Sequence, residues 1–366
     1  MFKNYIKVAF RSLNKNRIYT LINILGLALG LAITILVYLF VNNEMSYDKN
    51  WNGYDRIYRT GLTANFMGQL MDGPASPSPM AQAFRTELTD VETASRIQPI
   101  MKEVLMRNGQ TKFYVKNNAF ADSAFFKVFK YEFTHGNPNT ALNEENAIVL
   151  NEETAYKLFG DKNAMGEIVN FENRRDLIVK GIVKQPKGQA HFNFNMFIAQ
   201  NDIRNFWLSN NHNTYVKLRE GVHFDDFLNK MKIHFMKKLE PNIEQVLHTT
   251  MEEFNSQNNT FEYTLQPIED IHLYSRSSME TNQNGNITYI YVFIGIALLV
   301  ILIAGINFMN LSTARSGKRA KEVGVRKVTG ASRKMLIVQF LTESLIQSLI
   351  ALLLAFILVE IFLPGF

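Results

Sequence analysis

The sequence predicts an α-helical transmembrane protein of three spans with one large α+β extracytoplasmic domain. Three observations carry that class. Residues 18–43 and 281–314 contain no charged residue, and 335–363 contain only Glu343 and Glu360. An uncharged apolar run of about 18 residues or more is long enough to cross roughly 30 Å of hydrocarbon as a helix. Cations crowd two short segments beside these runs. The stretch between the first two runs holds nearly all the acids, and its length, about 240 residues, is enough to bury a core of its own.

The chain opens on an amphipathic segment, expected as a cytoplasmic elbow helix over 1–16. Phe2, Ile6, Ala9, Phe10 and Leu13 share one helical face, and Lys3, Lys7 and Arg11 the other. Such a helix lies in the headgroup layer with its apolar side down; the alternative is a disordered basic tail. The first span is placed at 17–42. Its apolar core of about 24 residues exceeds the 7–15 of a secretory h-region, and no small-residue cleavage site follows, so it reads as retained. Gly26 and Gly30 lie one turn apart and offer a flat strip for helix packing, although glycine is common in membrane helices for other reasons.

Residues 43–286 form the outer domain. Met71–Pro79 reads as a turn-rich loop because of its prolines. Met80–Leu88 and Glu152–Phe159 read as helices, the second ended by Gly160. Phe113–Val115, Ala147–Leu150 and Leu177–Val183 read as strands. Phe224–Leu239 reads as an amphipathic helix stopped by Pro241. The second span is placed at 287–312, a basic cytoplasmic loop at 313–334 and the third span at 335–363. Tyr38, Tyr47, Trp51, Tyr289 and Tyr291 suit an interfacial aromatic belt.

Charge sets the expected orientation. Before residue 18 there are five cations and no acid; residues 315–334 hold eight cations against Glu322. These segments sum to +12, the glutamates of the last span leave +10, and the chain total of +6 therefore puts about −4 on the middle domain. That is the positive-inside pattern rather than a nucleic-acid-binding face, so nucleic acid is excluded as a partner. The N-terminus and the 313–334 loop are expected in the cytoplasm of a multi-pass inner (plasma) membrane protein, with the large domain outside.

The 313–334 loop carries the functional expectation. It is short, basic, interrupted by Gly317, Gly324 and Gly330, and studded with Val323, Val325 and Val328; Ser332 is placed to cap the third span. A structured element of this kind suits force transfer between a soluble motor and a membrane helix. The competing reading is a loop that is basic only to set topology and to touch anionic membrane lipid.

The string Lys321-Glu322-Val323-Gly324-Val325-Arg326-Lys327-Val328-Thr329-Gly330-Ala331-Ser332 closely resembles the R-E-I-G-I-R-K-x-x-G-A signature of FtsX-like permeases, the MacB-type branch of ABC transporters. Phe2-Lys3-Asn4-Tyr5 through Gly26-Leu27-Ala28-Leu29-Gly30 resembles the family's elbow helix and first span. Asp55-Arg56-Ile57-Tyr58-Arg59 is similar to a phrase that often follows that span. Asn146 through Glu152, Leu158-Phe159-Gly160 and Met165-Gly166-Glu167 resemble the MacB-type periplasmic core domain. The resemblance implies that Arg319, Lys321, Glu322, Val323, Gly324, Val325, Arg326, Lys327, Val328, Gly330, Ala331 and Ser332 dock on a separate ABC ATPase (nucleotide-binding) subunit. Valines would enter a groove on the ATPase, and the basic residues would hold the interface. Family members of the minimal type have four spans. Three are found here, so the chain is expected to be a fragment or half of a split permease, or to take its fourth span from elsewhere, working as a homodimer or paired with a second permease half.

Other chemistries find no support. There is no G-x-x-x-x-G-K-[ST] phosphate loop, so the chain itself is not expected to hydrolyse ATP or to be an enzyme. No H-x-x-x-H or H-E-x-x-H pair joins the seven histidines, cysteine is absent, and no G-x-S-x-G elbow occurs; no metal or cofactor is expected. Glu343 lies about two turns into the third span, where a carboxylate is a functional candidate by default, but its neighbours Thr342 and Ser344 and its shallow depth favour a carboxylate that faces partner helices or snorkels inward. The expected function is a permease subunit of an ABC-type exporter or mechanotransmission complex; the alternative is a membrane-anchored sensor or scaffold with a ligand-binding outer domain.

Overall fold

Two units divide the chain: residues 1–43 with 287–366, and residues 44–286. The computed structural model describes residues 7, 8, 11, 13, 14, 17–66, 68–277, 280–314 and 316–365. The amphipathic helix expected over 1–16 lies largely outside them.

The first unit opens with α1 (Arg17–Glu44), one unbroken 28-residue helix. The second unit follows and is built on a mixed sheet. Its first part runs β1 (Ile57–Phe66), β2 (Gln69–Gly73), β3 (Ser76–Pro77), α2 (Met80–Glu87), β4 (Val91–Ile100), β5 (Val104–Asn108), β6 (Thr111–Val115) and β7 (Asn118–Ala121). Then come α3 (Phe125–Val128), β8 (Phe133–Gly136), β9 (Ala147–Asn151), α4 (Glu152–Phe159), β10 (Ile168–Phe171), β11 (Arg175–Val183) and β12 (Met196–Ala199). It closes with β13 (Asn210–Leu218), α5 (Phe224–Leu247), α6 (Met251–Ser256), β14 (Thr260–Pro267) and α7 (Ile271–Tyr274). The strand order is β14-β1-β13-β4-β7-β12-β9-β11-β10-β5-β6, with β2 on β1, β3 on β13 and β8 on β11. Only β9/β11 and β7/β12 pair in parallel; the other described pairs are antiparallel. The first strand of the unit therefore pairs with its last, from Tyr58 opposite Pro267 to Asn65 opposite Thr260.

Local chemistry accounts for the elements. Strand β9 is buried at every position, as a central strand covered on both faces must be. Asn151 caps α4 by accepting from the Thr154 amide at 2.8 Å, and Gly160 takes a positive φ of 62° where the helix ends, a conformation cheap for glycine. Thr250 and Glu253 form a capping box on α6, satisfying two otherwise orphaned amides. Three apolar clusters result: an aromatic one around Phe125, Phe129, Phe192 and Phe197, one beneath α2 and α5, and one beneath α4.

Three expectations are corrected here. Pro241 does not stop the helix it was expected to end, because α5 continues to Leu247 with Pro241 inside it. Phe227, Met231, Phe235, Leu239 and Ile243 recur every fourth residue and are all buried. Continued burial of that stripe offsets the roughly 3 kcal/mol that an interior proline costs. Met71–Pro79 is not all loop: β2 forms a hairpin with β1. Pro77 sits in two-residue β3 at the sheet's margin, where a missing N–H is tolerated. Trp51 belongs to no interfacial belt. It is buried in the aromatic cluster and donates its indole N–H to Asp48 Oδ1 at 3.1 Å. Tyr47 stacks on His272 with ring centroids 3.4 Å apart, whereas Tyr38, Tyr289 and Tyr291 are exposed.

The first unit resumes with α8 (Ile287–Ala314), α9 (Ser316–Val328) and α10 (Arg333–Phe362). Helices α1, α8 and α10 are long and apolar enough to cross a membrane. They bury small residues and expose large ones: Ala28, Ala304, Ala351 and Ala355 are covered, while Leu299, Ile303, Leu341 and Leu353 are open. Apolar surface of that extent is tolerable only in an apolar solvent. Contacts rise together along α1 and α10 (Asn23 with Gln347, then Ile24 and Ala28 in one cluster with Ala351, then Ala32 in one cluster with Ala355 and Val359), so the two run parallel. Gly30 against Ala304 and Phe40 against Phe293 make α8 antiparallel to α1.

Candidate functional site

The segment expected as a loop is mostly helix. Its lysines, arginines, Ala320 and Glu322 are strong helix formers, and Gly317 and Gly324, costing about 1 kcal/mol each, do not outweigh them. Thirteen residues form α9. The helix closes in a Schellman motif: the Gly330 amide donates to Lys327 O at 3.1 Å and the Ala331 amide to Arg326 O at 2.9 Å. Gly330 carries φ 92°, the left-handed residue this motif requires. Ser332 then caps α10, its hydroxyl accepting from the Met335 amide at 3.4 Å. Gly330, Ala331 and Ser332 thus build a defined elbow between two helices.

The candidate docking residues divide by environment. Val325 and Val328 stand 62% and 89% exposed, and Gly324 and Lys327 are exposed beside them. Val323 is half-buried. Arg326 is also half-buried and donates to Gln339 Oε1 on α10. Arg319, Lys321 and Glu322 lie within α9, but their side chains fall outside the described residues. Among the described residues of this segment no nucleophile is paired with a base.

Gly26 and Gly30 lie on the α8 side of α1. A Cβ on Gly30 would fall 2.6 Å from Ala304 Cβ, and one on Gly26 would fall 3.2 Å from Asn307 Nδ2. Sequence reasoning singled out Glu343 but missed its setting. Gln339, Glu343 and Gln347 recur every fourth residue on α10 and are all buried, Glu343 to 3% exposure. Asn23 on α1 donates to Gln347 Oε1 at 3.1 Å. The i, i+4 spacing of these polar residues within an apolar run was the available signal; their partner, 324 residues away, was not.

In the second unit a buried polar chain ties the segments that enter and leave it. Asp48, at φ 62°, accepts from the His191 amide at 3.2 Å, and its Oδ1 lies 2.9 Å from His191 Nδ1 without a hydrogen bond. His191 Nε2 meets the Tyr215 hydroxyl at 2.7 Å. Arg59 grips Glu280 with two 2.6 Å bonds and reaches Gln266 at 3.0 Å. Burial would raise the Glu280 carboxyl, but the Arg59 guanidinium outweighs it and holds the carboxyl below its ordinary value. Burial likewise opposes the Arg59 charge, and the Glu280 bond still carries it above its ordinary value. Glu44 and His272 form a second pair at 2.8 Å. Elsewhere, burial and the nearby Arg96 cation lower the His212 imidazole to about 4.

Residues 20–232 match the MacB-like periplasmic core domain, and residues 294–366 match the FtsX-like permease C-terminal family. The chain is 20% identical over 362 residues to the macrolide export ATP-binding/permease protein MacB of Chromobacterium violaceum, covering 93% of this chain and 49% of that protein. It is 21% identical over 364 residues to the ABC transporter permease YvrN of Bacillus subtilis, covering 93% and 82%. It thus spans about half the length of the first of these relatives. A solved permease-protein domain from Porphyromonas gingivalis is 20% identical with a TM-score of 0.47, covering 59% of this chain and 91% of that one. With its core-domain match extending over more than half of the sequence, the chain belongs to the family of FtsX-like ABC transporter permeases with a MacB-like periplasmic core domain.

Proposed function

We propose that this chain is the permease subunit of an ABC-type exporter or mechanotransmission complex, and that α9 docks on a separate nucleotide-binding subunit. The observation that carries the reading is the exposure of Val325 and Val328 on a helix fixed by a Schellman elbow. A stiff element with unpartnered apolar knobs beside cationic residues has the properties a force-transferring contact needs. Burying each valine in a groove is worth about 1.5–3 kcal/mol. The sequence has no phosphate-binding loop, while the relative from Chromobacterium violaceum is named as both ATP-binding and permease; nucleotide binding falls here to the partner. In this reading the termini of α9 face the cytoplasm, where the cations concentrate, and residues 44–286 lie outside. Motion of α9 would tilt α10 and reshape the outer domain, with export as the output.

The test is co-purification of the membrane-extracted chain with an ATP-hydrolysing subunit, comparing wild type with Val325→Asp and Val328→Asp. Both residues point away from the fold, so the variants should keep α9 and weaken the complex by about tenfold or more. Arg326 is a poorer probe because Gln339 already engages it. Unchanged complex formation would rule out the docking assignment, and reporter fusions that place residues 150 and 320 in one compartment would rule out the orientation.

A further inference from the structure

Two arginines of the outer unit are buried alike and partnered differently. Arg59 is 2% exposed and grips the Glu280 carboxylate. Arg96, on β4, is 3% exposed, and its guanidinium donates to Ser78 O at 2.9 Å, to the Ser78 hydroxyl, to Gln200 O at 3.2 Å and to Asp202 O. All four acceptors are neutral. Among the described residues no carboxylate forms an ion pair with Arg96; Asp202 offers it a carbonyl and keeps an exposed side chain. An arginine is almost never so buried without a charged partner, because a charge taken out of water is costly unless paired. Burial accordingly draws the Arg96 guanidinium below its ordinary value, and the charges of Asp122 and Asp202 do not make up the difference.

This uncompensated cation lines a cleft of about 300 Å³. The cleft opens where the chain leaves the carboxyl ends of β7 and β12, a parallel pair, the place where an open sheet takes ligands. The other charges on its wall are Arg85 and Asp122, which pair with each other at 2.7 Å. Two arginines against one aspartate leave the lining with one net positive charge. The wall is held in place: Asn201 Oδ1 accepts from the Ser123 amide at 3.0 Å, and its Nδ2 donates to Leu142 O at 2.8 Å. The side-chain amides of Gln82 and Asn143 and the Ser123 hydroxyl also line the cleft, and among the described residues none of these three groups has a partner.

We propose that this cleft binds a small organic monocarboxylate that carries hydrogen-bonding groups of its own. The carboxylate faces the Arg85–Arg96 side, and Gln82, Ser123 and Asn143 bond the rest of the ligand. Charge decides the class. One net positive charge matches a monoanion, and the Asp122 carboxylate, fixed by the Ser95 hydroxyl and Arg85 at 2.7 Å each, disfavours a dianion such as phosphate. Volume decides the size, since the cleft stands at the lower end of the range for ligand sites. The site belongs wholly to the outer unit, and binding there does not require α9 to dock.

The test uses the full chain in detergent micelles, where both tryptophans report on the outer unit. Tryptophan fluorescence and thermal unfolding are followed as N-acetylglycine, its neutral counterpart N-acetylglycinamide or inorganic phosphate is added at constant ionic strength. N-acetylglycine should bind saturably with a Kd of about 1 mM, ordinary for a ligand this small, and raise the unfolding temperature. The neutral amide should do neither, and phosphate should bind at least about threefold more weakly. Arg96→Gln should weaken N-acetylglycine binding about tenfold or more, as loss of a charge-assisted contact does. If that variant fails to fold, Asn143→Ala on the exposed rim decides: a loss of about threefold is expected, and unchanged affinity overturns the site. Equal binding of acid and amide, tighter binding of phosphate, no binding of N-acetylglycine, or a folded Arg96→Gln variant that binds like wild type overturns it as well.

Discussion

The two units solve burial in opposite ways. The 44–286 unit puts its largest side chains inside: Phe84, Phe125, Phe129, Phe192, Phe197, Phe227 and Phe235 are fully covered. The helical unit covers alanines and a glycine and turns leucine and isoleucine outward. One chain thus obeys two solvents. In water, removing apolar area from solvent drives folding. Between helices in lipid that drive is absent, and close approach of backbones takes its place. Aromatic cores make the outer unit intolerant of lost volume, while glycine and alanine seams make the helical unit intolerant of added volume.

The largest test of that contrast deletes volume outside the helical unit. Phe125→Ala should destabilise the outer unit by about 3–5 kcal/mol. The readout is chemical denaturation followed by tryptophan fluorescence, since the two tryptophans, Trp51 and Trp207, both belong to that unit. A loss below about 1 kcal/mol would mean the aromatic cluster is not the core it resembles.

A second test uses acid. Burial holds the folded His212 neutral down to about pH 4, whereas the unfolded chain takes up a proton near pH 6.5. Stability of the outer unit should therefore fall as pH drops through that window, by up to about 3 kcal/mol from this residue. His212→Gln should flatten that part of the pH profile, and an unchanged slope would assign the acid sensitivity to other groups. The smallest effect comes from adding volume to the helical unit. Gly30→Ala forces its new methyl against Ala304 and should cost about 1–3 kcal/mol in resistance to unfolding by SDS in mixed micelles. Ala304→Gly should recover most of the loss; failure to do so would separate Gly30 from the α8 contact.

The parts of the fold that local chemistry determines were legible. Three apolar helices, the Asn151-capped helix ending at Gly160 and the Ser332 cap each depend on residues within a few positions of one another. Reading failed where distant partners decide. Pro241 looked like a stop because the buried stripe continuing to Ile243 depends on the sheet beneath it. Trp51 looked interfacial because its core partners Phe129 and Phe192 lie far along the chain. The helical state of α9 was hidden by weighting its glycines over its lysines and arginines. Of the site, Glu343 was visible as a lone carboxylate in an apolar run, but Asn23 could not be matched to Gln347 by spacing.

The pairing of the outer unit's first strand with its last has a mechanical consequence. Tension applied where the chain enters and leaves acts on the same end of the β1/β14 ribbon, at Tyr58 opposite Pro267. That geometry peels rungs one after another instead of shearing them together, so the ribbon alone would yield to small forces. Load arriving along the exit segment meets Glu280 before it meets Pro267, and Glu280 is clamped to Arg59, on the second rung. The seam's resistance to being unzipped thus draws on that carboxylate, together with the Glu44–His272 pair, and not on the ladder alone.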